Sequence, residues 1–397
     1  MDRDFRVILA ASGLSTTVTA LLYASLQFRA LEISGSKFYV GLIGSLPYLG
    51  LMIMAYVWGL LSDYLGKRKG IVIVSGIVGS LLFFIYPFLT SIEMLIAVRF
   101  VQVCLMGSII LLLAVVTERF PADKGKVIGD LNVPLAAGWV VGAGVAAALY
   151  KNPYMSVELS NLIFFTLCGA IGLASSLVLI LLHEPKKDRN ELSFSSLKEM
   201  VRFKNKRPIG VLCTATLVLL TGNYMIYSVF AIYLQEPMFA LAEWQIGLIV
   251  AGSGLFGMFV FRFAGRLVDN KGRKAVLLPT LAMYAVSWLV YALTTNLYII
   301  AILWVLPYWS FFTTSSTAMV SDLTEDSERG RGIGILNAAI NFGNFAGSLL
   351  GGLLADVLDY PRTYMVAAAL VFIAFLIALN IKETKPVKSP LGDVPLK

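Results

Sequence analysis

The chain runs again and again for about 18 residues or more without a break in its apolar character. That length matches what a helix needs to cross a hydrocarbon core about 30 Å thick. Reading apolar runs bounded by charged or turn-forming clusters gives twelve such stretches. They lie near 6–28, 39–61, 70–89, 93–116, 127–149, 160–182, 209–234, 245–266, 275–294, 297–319, 332–356 and 363–381. A segment in lipid must satisfy its own backbone, which leaves helices or a closed barrel. Continuous apolarity, rather than period-two alternation, points to helices. The composition agrees, at 58% hydrophobic and 14% charged, against about 45–50% and 25% in soluble domains. A soluble globular chain, a disordered one, a disulfide scaffold, collagen and a nucleic-acid binder are all excluded. The expected fold is an all-α membrane protein with twelve transmembrane helices.

The net charge of +8 then reads as topology. With both termini cytoplasmic, 26 of the 32 basic residues fall in cytoplasmic segments. Only Arg29, Lys37, Lys151 and Arg362 fall outside, while Arg99 and Arg262 lie within spans. Short loops carrying Lys and Arg stay on the inner face, where they meet anionic lipid. Met1–Arg6 is too short and too acidic to open a signal peptide, so the first span is expected to be retained. A multi-pass protein of the cell membrane (plasma or inner) is expected. Cys104, Cys168 and Cys213 sit in or beside spans without metal or disulfide spacing and read as small buried hydrophobes. No metal and no cofactor is expected.

The longest polar stretch, residues 183–208, carries eight basic and four acidic residues and divides the spans into two sets of six. Residues 1–182 and 209–382 form the two expected halves, with a cytoplasmic linker between them and a cytoplasmic tail at 383–397. Leu192, Leu197 and Met200 would make a short interfacial helix in the linker. The halves repeat one another. Gly41-Leu42-Ile43 recurs as Gly247-Leu248-Ile249, and Gly59, Asp63 and Gly66 recur as Gly265, Asp269 and Gly272. Lys67-Arg68-Lys69 recurs in part as Arg273-Lys274. Gly125-Lys126-x-Ile128-Gly129-x-Leu131-Asn132 recurs as Gly330-Arg331-x-Ile333-Gly334-x-Leu336-Asn337, at an offset of 205–206 residues. Duplicated units of this kind commonly enclose a binding site near the midplane.

These motifs resemble the major facilitator superfamily (MFS) of secondary transporters, over nearly the whole chain. Gly59-x3-Asp63-x2-Gly66 with Lys67, Arg68 and Lys69 is similar to the family's signature loop between helices two and three. Glu118 and Arg119 resemble the groups that pair with that loop. Arg99-Phe100-Val101-Gln102 is similar to the helix-four motif of drug–proton antiporters, with Val103 in place of a Gly. In helix five, Pro134, Gly138, Gly142 and Gly144 replace that branch's Gly-Pro pair. The resemblance implies two pseudo-symmetric six-helix halves working by alternating access. Physically, glycines allow close approach, and Asp63 at a helix end offers a partner to Arg68. Gly59, Asp63, Gly66, Arg68, Glu118, Arg119, Gly265, Asp269, Gly272 and Arg273 are therefore the expected gating set.

Polar stripes at helical spacing mark faces turned from lipid. Span one offers Ser12, Thr16, Thr19, Tyr23 and Gln27, and its counterpart span seven offers Thr216, Asn223, Tyr227 and Phe230. Span ten offers Trp304, Tyr308, Phe311 and Ser315, and span eleven Asn337, Asn341, Asn344 and Ser348. An apolar cavity with a few placed polar groups suits amphipathic organic molecules. Helix-to-helix packing is the alternative for each stripe. Arg99, with Gln102 a turn away, is the deepest charge, about 9 Å in from the outer end. Glu32 and Glu93 at the outer edge are the acids nearest to it, while Arg262 and Asp130 read as interfacial. His183 reads as solvated.

The expected function is efflux of a small amphipathic solute, with protons as the candidate coupling ion, by a monomer surrounded by membrane lipids. A carrier for a small anionic metabolite organised around Arg99, or a lipid flippase, are the alternatives. An enzyme is not expected, for no His, Cys and Glu grouping is present, and direct ATP drive fails for want of a Walker loop.

Overall fold

The computed structural model describes residues 3–109, 111–112, 124–151, 154–183, 203–325 and 328–384, with side chains of 124–132 excepted. Glu118, Arg119, most of the linker with its expected interfacial helix, and the tail beyond Thr384 lie outside the described residues.

Twelve helical segments follow one another, and among the described residues there is no strand. In the first half they are α1 (Arg3–Ser34), α2 (Lys37–Leu65), α3 (Lys69–Leu81), α4 (Ile92–Met106), α5 (Lys124–Leu149) and α6 (Val157–Val178). In the second they are α7 (Lys206–Tyr227), α8 (Glu243–Lys271), α9 (Arg273–Leu293), α10 (Leu297–Val305 with Tyr308–Leu323), α11 (Arg329–Val357) and α12 (Tyr360–Ala378). Eleven are long and apolar enough to cross a membrane, and α5 adds the shorter apolar stretch Val133–Leu149.

Most of the helices begin a few residues before the apolar runs, with charged residues such as Arg3, Lys37, Lys124 and Lys206 in their first turns, whereas α12 ends at Ala378, short of the run's end. Several spans depart from a continuous α-helix, three of them as follows. The second half of the third is a 3-10 turn, Leu82–Phe88, that contains Pro87. The seventh breaks after Tyr227 and resumes as Phe230–Tyr233. The tenth breaks at Leu306, which is extended, ahead of Pro307. Proline has no N–H to donate and excludes the helical conformation from the residue before it.

The even-numbered helices begin at one end of the molecule, and side chains there satisfy their free N–H groups. Ser36 accepts from Phe38, Ser91 from Met94, and Ser156 from Leu159. Asn296 accepts from Tyr298 and Asp359 from Arg362. Such bonds matter most where the alternative is an unsatisfied donor near lipid. We call this the cap end.

Glycines set the packing. On α5, Gly138 and Gly142 lie against the α1 backbone at Gly13 and Thr17. Their counterparts 205 residues on, Gly343 and Gly347, lie against α7 at Leu217 and Thr221. A Cβ on Gly343 would stand 2.8 Å from the Leu217 carbonyl oxygen. The halves meet through another related pair of contacts. Gly41 of α2 packs on Gly352 of α11, and Gly247 of α8 on Ala147 of α5. Small residues let backbones approach where lipid supplies no hydrophobic drive between helices.

Candidate functional site

The periodicity that marks one polar face on α1 and one on α7 brings two tyrosines to the molecular centre. Tyr23 and Tyr227 are counterparts in the repeat, 204 residues apart. Their ring centroids lie 4.4 Å apart, and Tyr23 Oη donates to the Tyr227 carbonyl oxygen at 2.8 Å. Further rings extend the pair. Trp139 of α5 stands 5.7 Å from Tyr23, Tyr224 4.9 Å from Tyr227, and Tyr48 of α2 5.1 Å from Tyr224. These five side chains are all half-buried. Behind them Trp304 stacks on Tyr227 at 5.6 Å and on Phe230 at 3.5 Å. Both halves thus build one aromatic wall. Gln27, a turn from Tyr23, is buried with its Oε1 unpartnered, and so is Trp304 Nε1.

Other predicted cavity residues lie elsewhere or are differently engaged. Thr16 and Thr19 bond back to carbonyls of their own helix, Ser12 and Ser15. Asn223 is buried on α7. Asn344 is buried with an unpartnered Oδ1, whereas Asn341 donates to the Asn337 carbonyl and Asn337 is exposed. The break at Leu306–Pro307 splits the span-ten stripe. Trp304 faces the centre, Tyr308 meets Ser287 and Tyr284 of α9, and Phe311 packs on the exposed Phe263 of α8.

Arg99 sits inside the first half rather than in the ring cluster. Its Nη1 donates to Gln102 Oε1 at 2.8 Å, which also accepts from Tyr86 Oη at 2.7 Å. Gln102 Nε2 donates to the Gly79 carbonyl of α3 at 3.2 Å. Arg99 Nε has no partner, and among the described residues no carboxylate forms an ion pair with it. Glu32, which the spacing had offered as a candidate, pairs instead with Arg29 and with Lys151 at 3.5 Å each.

The halves are joined at the cap end. Asp356, near the end of α11, accepts from the Lys37 and Phe38 N–H groups at the start of α2, at 2.8 and 2.9 Å, and from the Ser36 hydroxyl. Lys37 Nζ lies 3.8 Å from Glu236. Across the pseudo-axis Lys151 pairs with Glu243, the first residue of α8, at 3.6 Å. At the opposite end, a Cβ on Gly59 of α2, Gly265 of α8 or Gly330 and Gly334 of α11 would find no atom within 4 Å. Among the described residues, the ion pairs that join the halves lie at the cap end.

The motifs expected to gate lie at that opposite end. Gly66 closes α2 at φ 62°, a left-handed turn natural to glycine, and Arg68 stands 4.0 Å from Asp63. In the second copy Arg273 reaches Asp269 at 3.3 Å and Asp322 at 2.9 Å. Gly272 (φ 112°) packs against Glu383. That carboxylate accepts from the Arg273, Lys274 and Ala275 N–H groups.

The Major Facilitator Superfamily family model matches residues 8–260 and 212–396. The chain belongs to this superfamily. The MFS chain is 24% identical over 367 residues to a multi-drug resistance efflux pump PmrA homolog of Lactococcus lactis, covering 90% of this chain and 88% of the relative. It is 25% identical to the quinolone resistance protein NorA of Staphylococcus aureus over 175 residues, 44% of each chain. Among solved structures it resembles a bacterial homolog of the lysosomal transporter Spinster in an inward-facing, occupied conformation. That match has a TM-score of 0.77 and 14% identity, over 94% of this chain and 95% of that one. The nucleoside transporter NupG gives a TM-score of 0.74 and 14% identity, over 96% and 99%. The molecule is a multi-pass membrane transporter of the secondary class, not an enzyme.

Stripe reasoning missed Tyr48, Trp139 and Tyr224. Trp139 stands 205 residues before Asn344, so the repeat offset points to it. Tyr48 corresponds to Gly254, whose missing side chain leaves room for Trp139.

Proposed function

We propose that this MFS transporter exports small amphipathic organic solutes by alternating access, with the aromatic centre as the solute site. The observation that carries the reading is the wall of rings shared by the two halves, whose described ion pairs to each other lie at the cap end. The charge bias of the loops supports a cap end outside and both termini in the cytoplasm, and in this reading the motif end faces the cytoplasm. Residues 1–182 and 209–382 then move as two bodies, Asp63, Arg68, Asp269 and Arg273 alternating partners as the inner end closes. The efflux pumps among its relatives support the direction of transport.

The experiment is reconstitution of the full chain into vesicles with an uncharged fluorescent amphiphile. Outward-directed flux that falls with Tyr227→Ala supports the reading, and unchanged flux in that variant defeats it. Proton coupling is the finer part of the proposal. A protonophore should collapse uphill transport, and uphill transport that survives it rules coupling out.

A further inference from the structure

The two halves meet at a pair of repeat-related crossings, and each crossing brings one large ring to the centre. Where α5 meets α8, Gly247 packs on Ala147, and two turns further along α8 Gly254 faces the indole of Trp139. Where α2 meets α11, the counterparts of Gly247 and Ala147 are Gly41 and Gly352, which also touch. The counterparts of Gly254 and Trp139 there are Tyr48 and Asn344. Trp139 stands 5.7 Å from Tyr23, and Tyr48 stands 5.1 Å from Tyr224. Both rings thus come from the first half, and at both positions the second half carries the smaller residue.

At Gly254 the fit leaves no slack. A Cβ there would stand 2.7 Å from Trp139 Cδ1 and 3.1 Å from Val140 Cγ2, the first about 1 Å inside ordinary carbon contact. Both helices are held in place. Gly138, the residue before Trp139, lies against the α1 backbone at Gly13. The Gly247–Ala147 contact and the Lys151–Glu243 pair hold α8 to the end of α5. The indole is only half-buried, so it is the group that would give way. A side chain on Gly254 would displace it within the aromatic centre, of which it is one wall.

Resting on the reading of the aromatic centre as the solute site, we infer that Gly254 is the positioning residue that sets its width. Having no side chain, it lets Trp139 stand back against α8, and the centre then admits flat polycyclic solutes that a fuller residue there would shut out.

The test is a size series of aromatic amines, aminonaphthalene, aminoanthracene and aminopyrene, which are uncharged at neutral pH and differ in the number of fused rings. Binding to the purified full-length protein is read by the fluorescence of the probe. All three are expected to bind the unaltered protein. Gly254→Ala should lower the affinity for aminopyrene relative to aminonaphthalene by about fivefold or more. Trp139→Leu, which vacates the same space without overpacking, should move that ratio the other way. Adding Trp139→Leu to Gly254→Ala should restore most of the lost ratio, because the two substitutions act on one contact and are not additive. A Gly254→Ala protein that loses all three probes equally, or loses none, overturns the inference. So does a ratio that Trp139→Leu fails to restore, or an unaltered protein that binds no probe. Failure of the site reading looks different: Tyr227→Ala would then bind every probe as tightly as the unaltered protein, whatever the size preference.

Discussion

Tyr23 and Tyr227 occupy equivalent positions in two copies of one six-helix unit, so their contact marks the axis that relates the copies. Their substitutions should differ in size. Tyr23→Phe keeps the ring and loses one hydrogen bond, worth about 0.5–1.5 kcal/mol, so initial transport should fall about two- to tenfold. Tyr227→Ala removes ring contacts to Tyr23, Tyr224 and Trp304 at about 0.5–1.5 kcal/mol each, and should cut the rate more than about tenfold. Rates in reconstituted vesicles decide, and a Tyr227→Ala protein as fast as the parent would take the cluster off the solute path. The tyrosine pair was legible because a polar stripe has the period of its helix. Tyr48 and Trp139 were not, since neither lies on a polar stripe and each acquires its place from the repeat offset and the helix opposite. Arg99 was legible as a deep charge and Gln102, three residues on, as its neighbour, but not that Tyr86 and the Gly79 carbonyl complete the set.

At the scale of elements, the repeat persists in packing and inverts in charge. Lys151 and Asp356 are counterparts 205 residues apart, and so, 206 apart, are their partners' positions Glu243 and Lys37. One half closes the seam with a cation over α8, the other with a carboxylate at the start of α2, where the helix dipole favours it. Lys151→Glu breaks the pairs to Glu32 and Glu243. Partly exposed pairs contribute about 0.2–1 kcal/mol each, so the cap end should open in a several-fold larger share of molecules. Distances between spin labels across that end would show it. Adding Glu243→Lys should restore much of the closed population, and no restoration would mean the pair does not hold the seam. In sequence these residues look like ordinary loop charges; only the fold sets them opposite each other.

Glycine contacts test the same scale by a different force. A Cβ on Gly347 would stand 2.9 Å from Tyr224 Cβ, whereas one on Gly144 would meet nothing within 4 Å. Gly347→Val should therefore overpack the α7–α11 contact by about 1–3 kcal/mol. Its melting temperature in detergent should fall by several degrees, while Gly144→Ala leaves it nearly unchanged. Equal melting of the two would show that this contact does not limit stability. The helices themselves were readable because lipid forces an apolar run to be a helix. Their interruptions at Leu306 and after Tyr227 were less so, because each depends on how a local break is accommodated by neighbours.

At the scale of the whole molecule, the proposed export cycle makes a mechanical demand: for solute to leave outward, the ion-paired cap end must part. Lys37 on α2 and Glu236 between α7 and α8 face each other across that end, 3.8 Å apart, one from each half. Replacing both with cysteine and joining them with a short, cleavable bifunctional thiol reagent should hold the halves together there. Solute would still enter the centre from the motif end, so binding measured by tryptophan fluorescence should persist in the joined protein. Turnover requires the other opening, so transport should drop to the level of empty vesicles and return when the bridge is cleaved. Each single-cysteine variant, treated alike, should keep transporting, which accounts for modification of Cys104, Cys168 and Cys213. Turnover of the joined protein at its unjoined rate would mean that solute does not leave between the halves at the cap end, and alternating access about this seam would have to be abandoned.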